Sequence, residues 1–251
     1  MSDFYGTVFF SLIMGFSIFI SLPIVLRKKT SEKTTRMLNA IAIGILLFLI
    51  CDIFSDVAQR LYAGGSLGGY GANPTLSILF AIALAIGFFM LYVFENRSTK
   101  GLSPARMSLM IAIGMGMQNL TEGLVFGSLS ASLGLFSGVA LVVLVGFVLQ
   151  NTTEGFPIAA PFLNSNDKKL GVMALLLLVG GLPTVIGGVV GFYYSSVSFN
   201  IFFDGLAMGA ILYVILPMIK HQLRDIDHTK QKLTYAGIFI GFLLGFLVNL
   251  I

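Results

Sequence analysis

Eight long apolar runs set the limits on what this chain can fold into. They fall at about 4–26, 38–60, 76–95, 106–127, 135–163, 170–193, 199–219 and 233–251. A helix that crosses the hydrocarbon core of a bilayer needs about 20 apolar residues, and each run is near or above that length. Charged residues make up only 10% of the chain, whereas an average soluble domain carries about 25%. So few charges cannot cover the surface of a water-soluble protein of this size. The sequence therefore predicts an all-α, polytopic membrane protein with eight transmembrane helices in a single domain spanning 1–251. The first run lacks the basic start and the small-residue cleavage site of a signal peptide and is too long for one, so it reads as a true first helix. Trp is absent, which leaves Tyr and Phe to form any interfacial belt.

The basic residues carry a topology signal. Arg27, Lys28, Lys29, Lys33 and Arg36 fall between runs one and two, and Arg97, Lys100 and Arg106 between three and four. Lys168 and Lys169 fall between five and six, and Lys220, Arg224, Lys230 and Lys232 between seven and eight. Fourteen of the fifteen Lys and Arg thus occupy alternate loops, and only Arg60 lies on the other side. The positive-inside rule puts those loops in the cytoplasm and both termini outside, in a multi-pass protein of the cell membrane. The net charge of +4 is then a matter of topology, and no nucleic-acid partner is expected. The opposite connections, Gly64 to Ala72 and Ser128 to Gly134, read as tight turns. The single cysteine, Cys51, excludes an internal disulfide and any multi-cysteine metal site and reads as a packing residue.

Two runs share a polar hexapeptide. The fourth contains Gln118-Asn119-Leu120-Thr121-Glu122-Gly123 and the fifth Gln150-Asn151-Thr152-Thr153-Glu154-Gly155, with five of six positions identical. Each sits near the middle of an apolar span. A glutamate at that depth costs about 2.5–3.5 kcal/mol on insertion scales and needs a partner, a water-filled cavity or a bound cation. Gln118 and Glu122 are one helical turn apart and share a face, as do Gln150 and Glu154. Runs four and five are antiparallel neighbours, so the two faces can meet. That brings two carboxylates and up to four carboxamides around one point, where a divalent cation removes the repulsion between the glutamates. The alternatives are a polar network that only holds helices together and a proton relay. Gly123 and Gly155 allow close backbone approach. Pro157 and Pro161 each free a backbone carbonyl in the fifth span, and broken helices at membrane depth are where transporters place ion sites.

Other polar residues are weaker candidates. Asp52 and Asp56, one turn apart in the second span, and Asp204 near the outer end of the seventh would form an anionic entrance. Asp52 could instead pair with Arg60. His221 and His228 lie in the last basic loop beside Asp225 and Asp227, a solvated run or an inner receiving site. Met115 and Met117 read as packing, and Gly205 with Gly209 as a close helix contact. No His lies in any span, and neither a zinc-protease His pair nor a nucleotide-binding loop is present, so enzyme chemistry is not expected. A proton-coupled or organic-solute carrier using the same glutamates, or a non-transporting membrane protein, are the competing readings.

The motif pair resembles the ZIP family of divalent metal transporters, in particular its GufA-like prokaryotic branch. The stretch from Gln150 to Pro161 carries the resemblance most fully, and Ala207 to Val214 is similar to the family's small-residue seventh helix. The resemblance implies a ZIP-like helix bundle, with Gln118, Glu122, Gln150 and Glu154 as the principal metal site. Asn119, Asn151 and Glu154 would serve an adjacent second site. It further implies an elevator-like motion of a bundle containing spans four and five, uptake into the cytoplasm, and a homodimer as a plausible assembly. The metal ion would be the transported substrate rather than a resident cofactor. The chain departs from the family at Gln118, where a His is usual, at Thr121 and Thr153, where Pro is usual, and at Leu182, where the branch often has Glu. One ion at a time is therefore expected. The remaining ligands are all oxygens, which suit harder ions than imidazole does, so Mn(II) and Fe(II) are expected to compete with Zn(II).

Overall fold

The computed structural model describes residues 2–23, 31–63, 72–96, 103–163, 170–224 and 228–250. Seven of the basic loop residues (Arg27, Lys28, Lys29, Arg97, Lys100, Lys168 and Lys169) lie outside the described residues, as do Asp225, Asp227 and nearly all of the Gly-rich 64–72 connection. Among the described residues the chain is all-α and has no strand. The long helices are α1 (Ser2–Ser17), α2 (Glu32–Ala63), α3 (Pro74–Asn96), α4 (Pro104–Leu133), α5 (Gly138–Ala159), α6 (Leu170–Tyr193), α7 (Val197–Leu223) and α8 (His228–Val248). Short 3₁₀ turns at Ile18–Ser21 and Ala160–Phe162 continue α1 and α5. All eight spans are long and apolar enough to cross a membrane.

Local chemistry sets the helix starts. Pro74 opens α3, and the Asn73 side chain accepts from the Thr75 and Leu76 amides at 3.0 and 3.2 Å. Pro104 opens α4 behind Ser103, whose hydroxyl accepts from the Arg106 amide at 3.3 Å, and Ser137 caps α5 in the same way at Ala140. A capping oxygen satisfies an amide that has no helical partner, and proline at the first position loses nothing by lacking one.

Two connections differ from the sequence reading. Ser128–Leu133 is the last turn and a half of α4 rather than a loop, and the turn is confined to 134–137. Ser130 and Ser132 fold their hydroxyls back onto the carbonyls of Phe126 and Ser128 at 2.9 and 2.8 Å, which hides their polarity inside the helix. Gly134, at φ 87°, then ends it, a backbone angle that favours glycine. α2 is longer than its apolar run because its polar first turns remain helical. Its 32 residues span about 48 Å, well beyond a hydrocarbon core of about 30 Å.

The helices pack as two groups, one of α1, α4, α5 and α6 and the other of α2, α3, α7 and α8. The most extensive contacts join α4 to α6, α2 to α8 and α3 to α7, and α4 meets α7 between the groups. Both motif glycines lie where a side chain would not fit. A Cβ at Gly123 would stand 2.8 Å from the Gly188 nitrogen and 3.0 Å from the Gly187 Cα of α6, and one at Gly155 2.5 Å from the Ser21 hydroxyl. Gly205 and Gly209 likewise seat α7 on α3, against Ala83 and the Phe88 amide.

Many large apolar side chains remain on the surface, Phe9, Ile82, Val142 and Phe239 among them, as a lipid-facing bundle requires. Cys51 belongs to this surface: it is exposed rather than packed, on the same face of α2 as Phe54. Met115, in contrast, is fully buried. The face where α1 starts and α8 ends is termed upper. Seven of the eight described Lys and Arg sit at the lower helix ends, where Lys230 pairs with Glu32 at 2.8 Å and Arg36 donates to the Gln222 carbonyl at 2.9 Å. Arg60 alone among them lies toward the upper face.

Candidate cation site

The tight turn at 134–137 folds α5 back along α4, so the two polar hexapeptides face each other. The contact is direct. The Gln150 amide nitrogen donates to Glu122 Oε1 at 2.8 Å and to Glu154 Oε1 at 3.2 Å, bridging the two carboxylates. Glu122 also accepts from Gln118 Nε2 at 3.2 Å and, through Oε2, from Asn151 Nδ2 at 3.4 Å. Asn119 turns to α6, donating to the Gly180 carbonyl at 3.0 Å. All six residues singled out by the motif are buried, each no more than 8% exposed, and five of them, all but Asn119, join in one hydrogen-bonded cluster.

The motif threonines act alike. Thr121 and Thr153 donate to the carbonyls of Gln118 and Gln150, three residues earlier, at 2.7 and 2.8 Å. Thr121 Oγ1 also lies 2.7 Å from Asp204 Oδ1. One hydroxyl hydrogen serves one of these acceptors at a time. Pro157, inside α5, has no amide hydrogen and leaves the Thr153 carbonyl without its helical donor.

Four buried oxygens in the cluster have no donor: Gln118 Oε1, Asn119 Oδ1, Asn151 Oδ1 and Glu154 Oε2. A buried acceptor left unpaired costs about 1–3 kcal/mol. Four within two facing helix turns, beside a second carboxylate, concentrate acceptors that a hydrogen-bond donor or a cation would satisfy. The carboxamides can also reverse roles. A half-turn of the terminal amide exchanges nitrogen and oxygen at nearly the same position, so Gln150 can offer Oε1 where it now presents N–H. Among the described residues no group of three or more His, Cys, Asp and Glu gathers around a common point. A cation here would be held by two carboxylates and amide oxygens.

The cluster opens upward. A cavity of about 300 Å³ is lined by Gln118, Glu122 and Gln150 together with Asp52, Asp56, Asp204 and Asn249. The three aspartates expected at an entrance do share a cavity with the motif, while Asn119, Asn151 and Glu154 lie behind its wall. Of the pairings open to the aspartates, that of Asp52 with Arg60 is not the one formed. Arg60 bonds to Asp204 at 2.8 Å and Asp56 at 3.4 Å, and Asp52 accepts from Asn249 instead. A second cavity of about 390 Å³ opens on the lower side, lined by Met107, Pro161, Pro217, Met218 and His221 and containing no motif residue. Along α4 the residues between the two cavities, Met110, Ile111 and Met115, are buried, as are Ala207, Ala210, Ile211 and Val214 along α7. His228 is exposed, and Leu182 lies on the exposed side of α6.

Sequence reasoning missed Thr121 as the link to Asp204, Asn249 as the partner of Asp52, and the Gly180 carbonyl as the anchor of Asn119. Asn249 was the one with a signal, a lone amide in an apolar final run.

The chain matches no family model, and no curated protein matches it.

Proposed function

We propose that this chain is a secondary transporter of divalent transition-metal ions of the Zn, Fe and Mn class, working by alternating access around the site on α4 and α5. One observation carries the reading: the facing hexapeptides bury two carboxylates, Glu122 and Glu154, with three carboxamide oxygens and one carboxylate oxygen left without a donor, beside a cavity that Gln118, Glu122 and Gln150 share with three aspartates. A network serving only as helix glue would pair its acceptors. This one leaves four of them without a protein donor, as ligands awaiting a cation would be.

The arrangement of cavities supports alternating access. The upper cavity reaches Gln118, Glu122 and Gln150, whereas the lower one stops about three helical turns short of them on α4. Motion of the α1, α4, α5 and α6 group against the other four helices would carry the site from one cavity to the other. With the basic ends in the cytoplasm, the upper cavity is the external one and transport runs inward, driven by the ion's own gradient and the membrane potential. The resemblance of the two hexapeptides to those of ZIP transporters agrees with this assignment.

Uptake into proteoliposomes tests it. Wild type is expected to admit Mn(II) or Zn(II) above the rate of empty vesicles, and the paired change Glu122→Gln with Glu154→Gln to abolish the excess. Uptake that survives the paired change would move the pathway elsewhere.

A further inference from the structure

The upper cavity holds four carboxylates and a single basic group. Asp52, Asp56, Asp204 and Glu122 line it together with Arg60. The Arg60 guanidinium bonds the buried carboxylate of Asp204 at 2.8 Å, and its second nitrogen reaches Asp56 at 3.4 Å. The other oxygen of Asp204 lies 2.7 Å from the Thr121 hydroxyl, and Thr121 adjoins Glu122. A chain of contacts thus runs from α2 through α7 to α4 and ends one residue from the central carboxylate.

We propose that Arg60 is a resident counter-cation, which an entering ion must displace from Asp204 and which thereby discriminates divalent from monovalent cations. This rests on the transport reading above. The physical basis is Coulombic. Attraction to Asp204 scales with the charge of the visitor. A sodium or potassium ion brings no more charge than the guanidinium already in contact, and it must shed water to get there. A divalent ion gains about twice as much at the same distance, and its larger dehydration cost is met by the other three carboxylates that line the cavity. Arg60 also has somewhere to go. Its side chain is 22% exposed, and Asp56, one turn earlier on the same helix, is 60% exposed, against 5% for Asp204. Asp56 can therefore hold the guanidinium nearer water while the ion passes, the flexible stem of arginine spanning the shift.

The test is Mn(II) uptake into proteoliposomes at fixed ionic strength, with potassium chloride or choline chloride as the salt. Arg60→Gln is expected to lower KM for Mn(II) about ten-fold and to make potassium, but not choline, a competitive inhibitor. Arg60→Lys, which keeps the charge, should stay within about two-fold of wild type with potassium inert. Asp56→Asn, at an exposed position that folding tolerates, should shift KM the opposite way, upward by about three-fold, because the displaced guanidinium loses its outer partner. An ion pair that only braces α2 against α7 predicts lower maximal rates and lower thermal stability for Arg60→Gln, with KM and potassium response unchanged, and that result overturns the proposal. Should Arg60→Gln fail to fold, an unchanged or lowered KM in Asp56→Asn overturns it equally. No Mn(II) uptake by wild type is a separate outcome: it defeats the transport reading itself and takes this proposal with it.

Discussion

Replacing Glu122 by Gln separates a cation site from helix glue. Glu122 accepts three N–H groups, from Gln118 at 3.2 Å, Gln150 at 2.8 Å and Asn151 at 3.4 Å. A glutamine in its place keeps Oε1 for the first two. Its new amide nitrogen would face that of Asn151, but Asn151 Oδ1 is buried and unpaired, and a half-turn of that amide makes it the acceptor. All three pairs survive as neutral ones. Bonds to a charged group contribute about 1.5–3 kcal/mol and neutral ones about 0.5–1.5, so the three together weaken by about 3 kcal/mol. Against that, the burial of a carboxylate, which costs several kcal/mol, is removed. The stability of Glu122→Gln in a chelator should therefore lie within about 2 kcal/mol of wild type. The response to metal should differ sharply. A ligand at 100 times its Kd stabilises the protein that binds it by about 2.7 kcal/mol. Mn(II) should raise the melting temperature of wild type accordingly and leave that of the variant nearly unchanged. The chain has no Trp, so melting is best followed by far-ultraviolet circular dichroism in detergent, with EDTA or excess Mn(II). If no divalent ion stabilises wild type, and Glu122→Gln melts far lower in EDTA, the network is structural glue and the reasoning fails.

Three further outcomes follow from the same geometry. Gly155→Val would drive a side chain into the Ile18 carbonyl and Ser21 and should destabilise by about 1–3 kcal/mol, while Gly146→Val, with open space around its Cβ position, should melt within about 0.5 kcal/mol of wild type. Thr121→Val deletes the hydroxyl beside Asp204 and the Gln118 carbonyl. It should cost about 1–2 kcal/mol in thermal melting, with Thr121→Ser restoring most of the loss; equal melting of both variants would show that the hydroxyl contributes nothing. Excess Mn(II) or Fe(II) should suppress zinc uptake, and Gln118→His should move the preference toward zinc by about ten-fold, since imidazole suits zinc better than an amide oxygen does; a wild-type zinc preference already as high as that of the histidine variant contradicts the assignment.

The sequence makes the helices legible because membrane depth imposes a length and a composition, and the alternation of Lys and Arg keeps the count of eight in phase. It also marks the candidate site, because Glu122 and Glu154 are anomalous inside apolar runs and the one-turn spacing of each Gln and Glu fixes their faces. Its failures are of two physical kinds. Hydropathy cannot see a helix continue through polar residues, so Ser128–Leu133 read as loop and the first turns of α2 as connection, although the serine hydroxyls of the former find acceptors on the helix itself. Tertiary pairing also leaves no local trace. Arg60 and Asp204 are 144 positions apart, and Asp52 and Asn249 are 197 apart. Only the packing of α2 against α7 and α8 decides that Arg60 meets Asp204 rather than Asp52. Cys51 shows the same limit: an apolar run does not say which of its faces meets protein and which meets lipid.

X-ray absorption at the manganese edge of the purified, Mn(II)-loaded protein, combined with equilibrium dialysis for stoichiometry, reads out the proposed ligand shell itself. One ion per chain is expected, in a shell of oxygen ligands only, and it should be lost when Glu122 and Glu154 are both replaced by Gln. A shell containing sulfur or imidazole nitrogen, or an ion retained by that double variant, would place the metal away from α4 and α5 and contradict the proposed site.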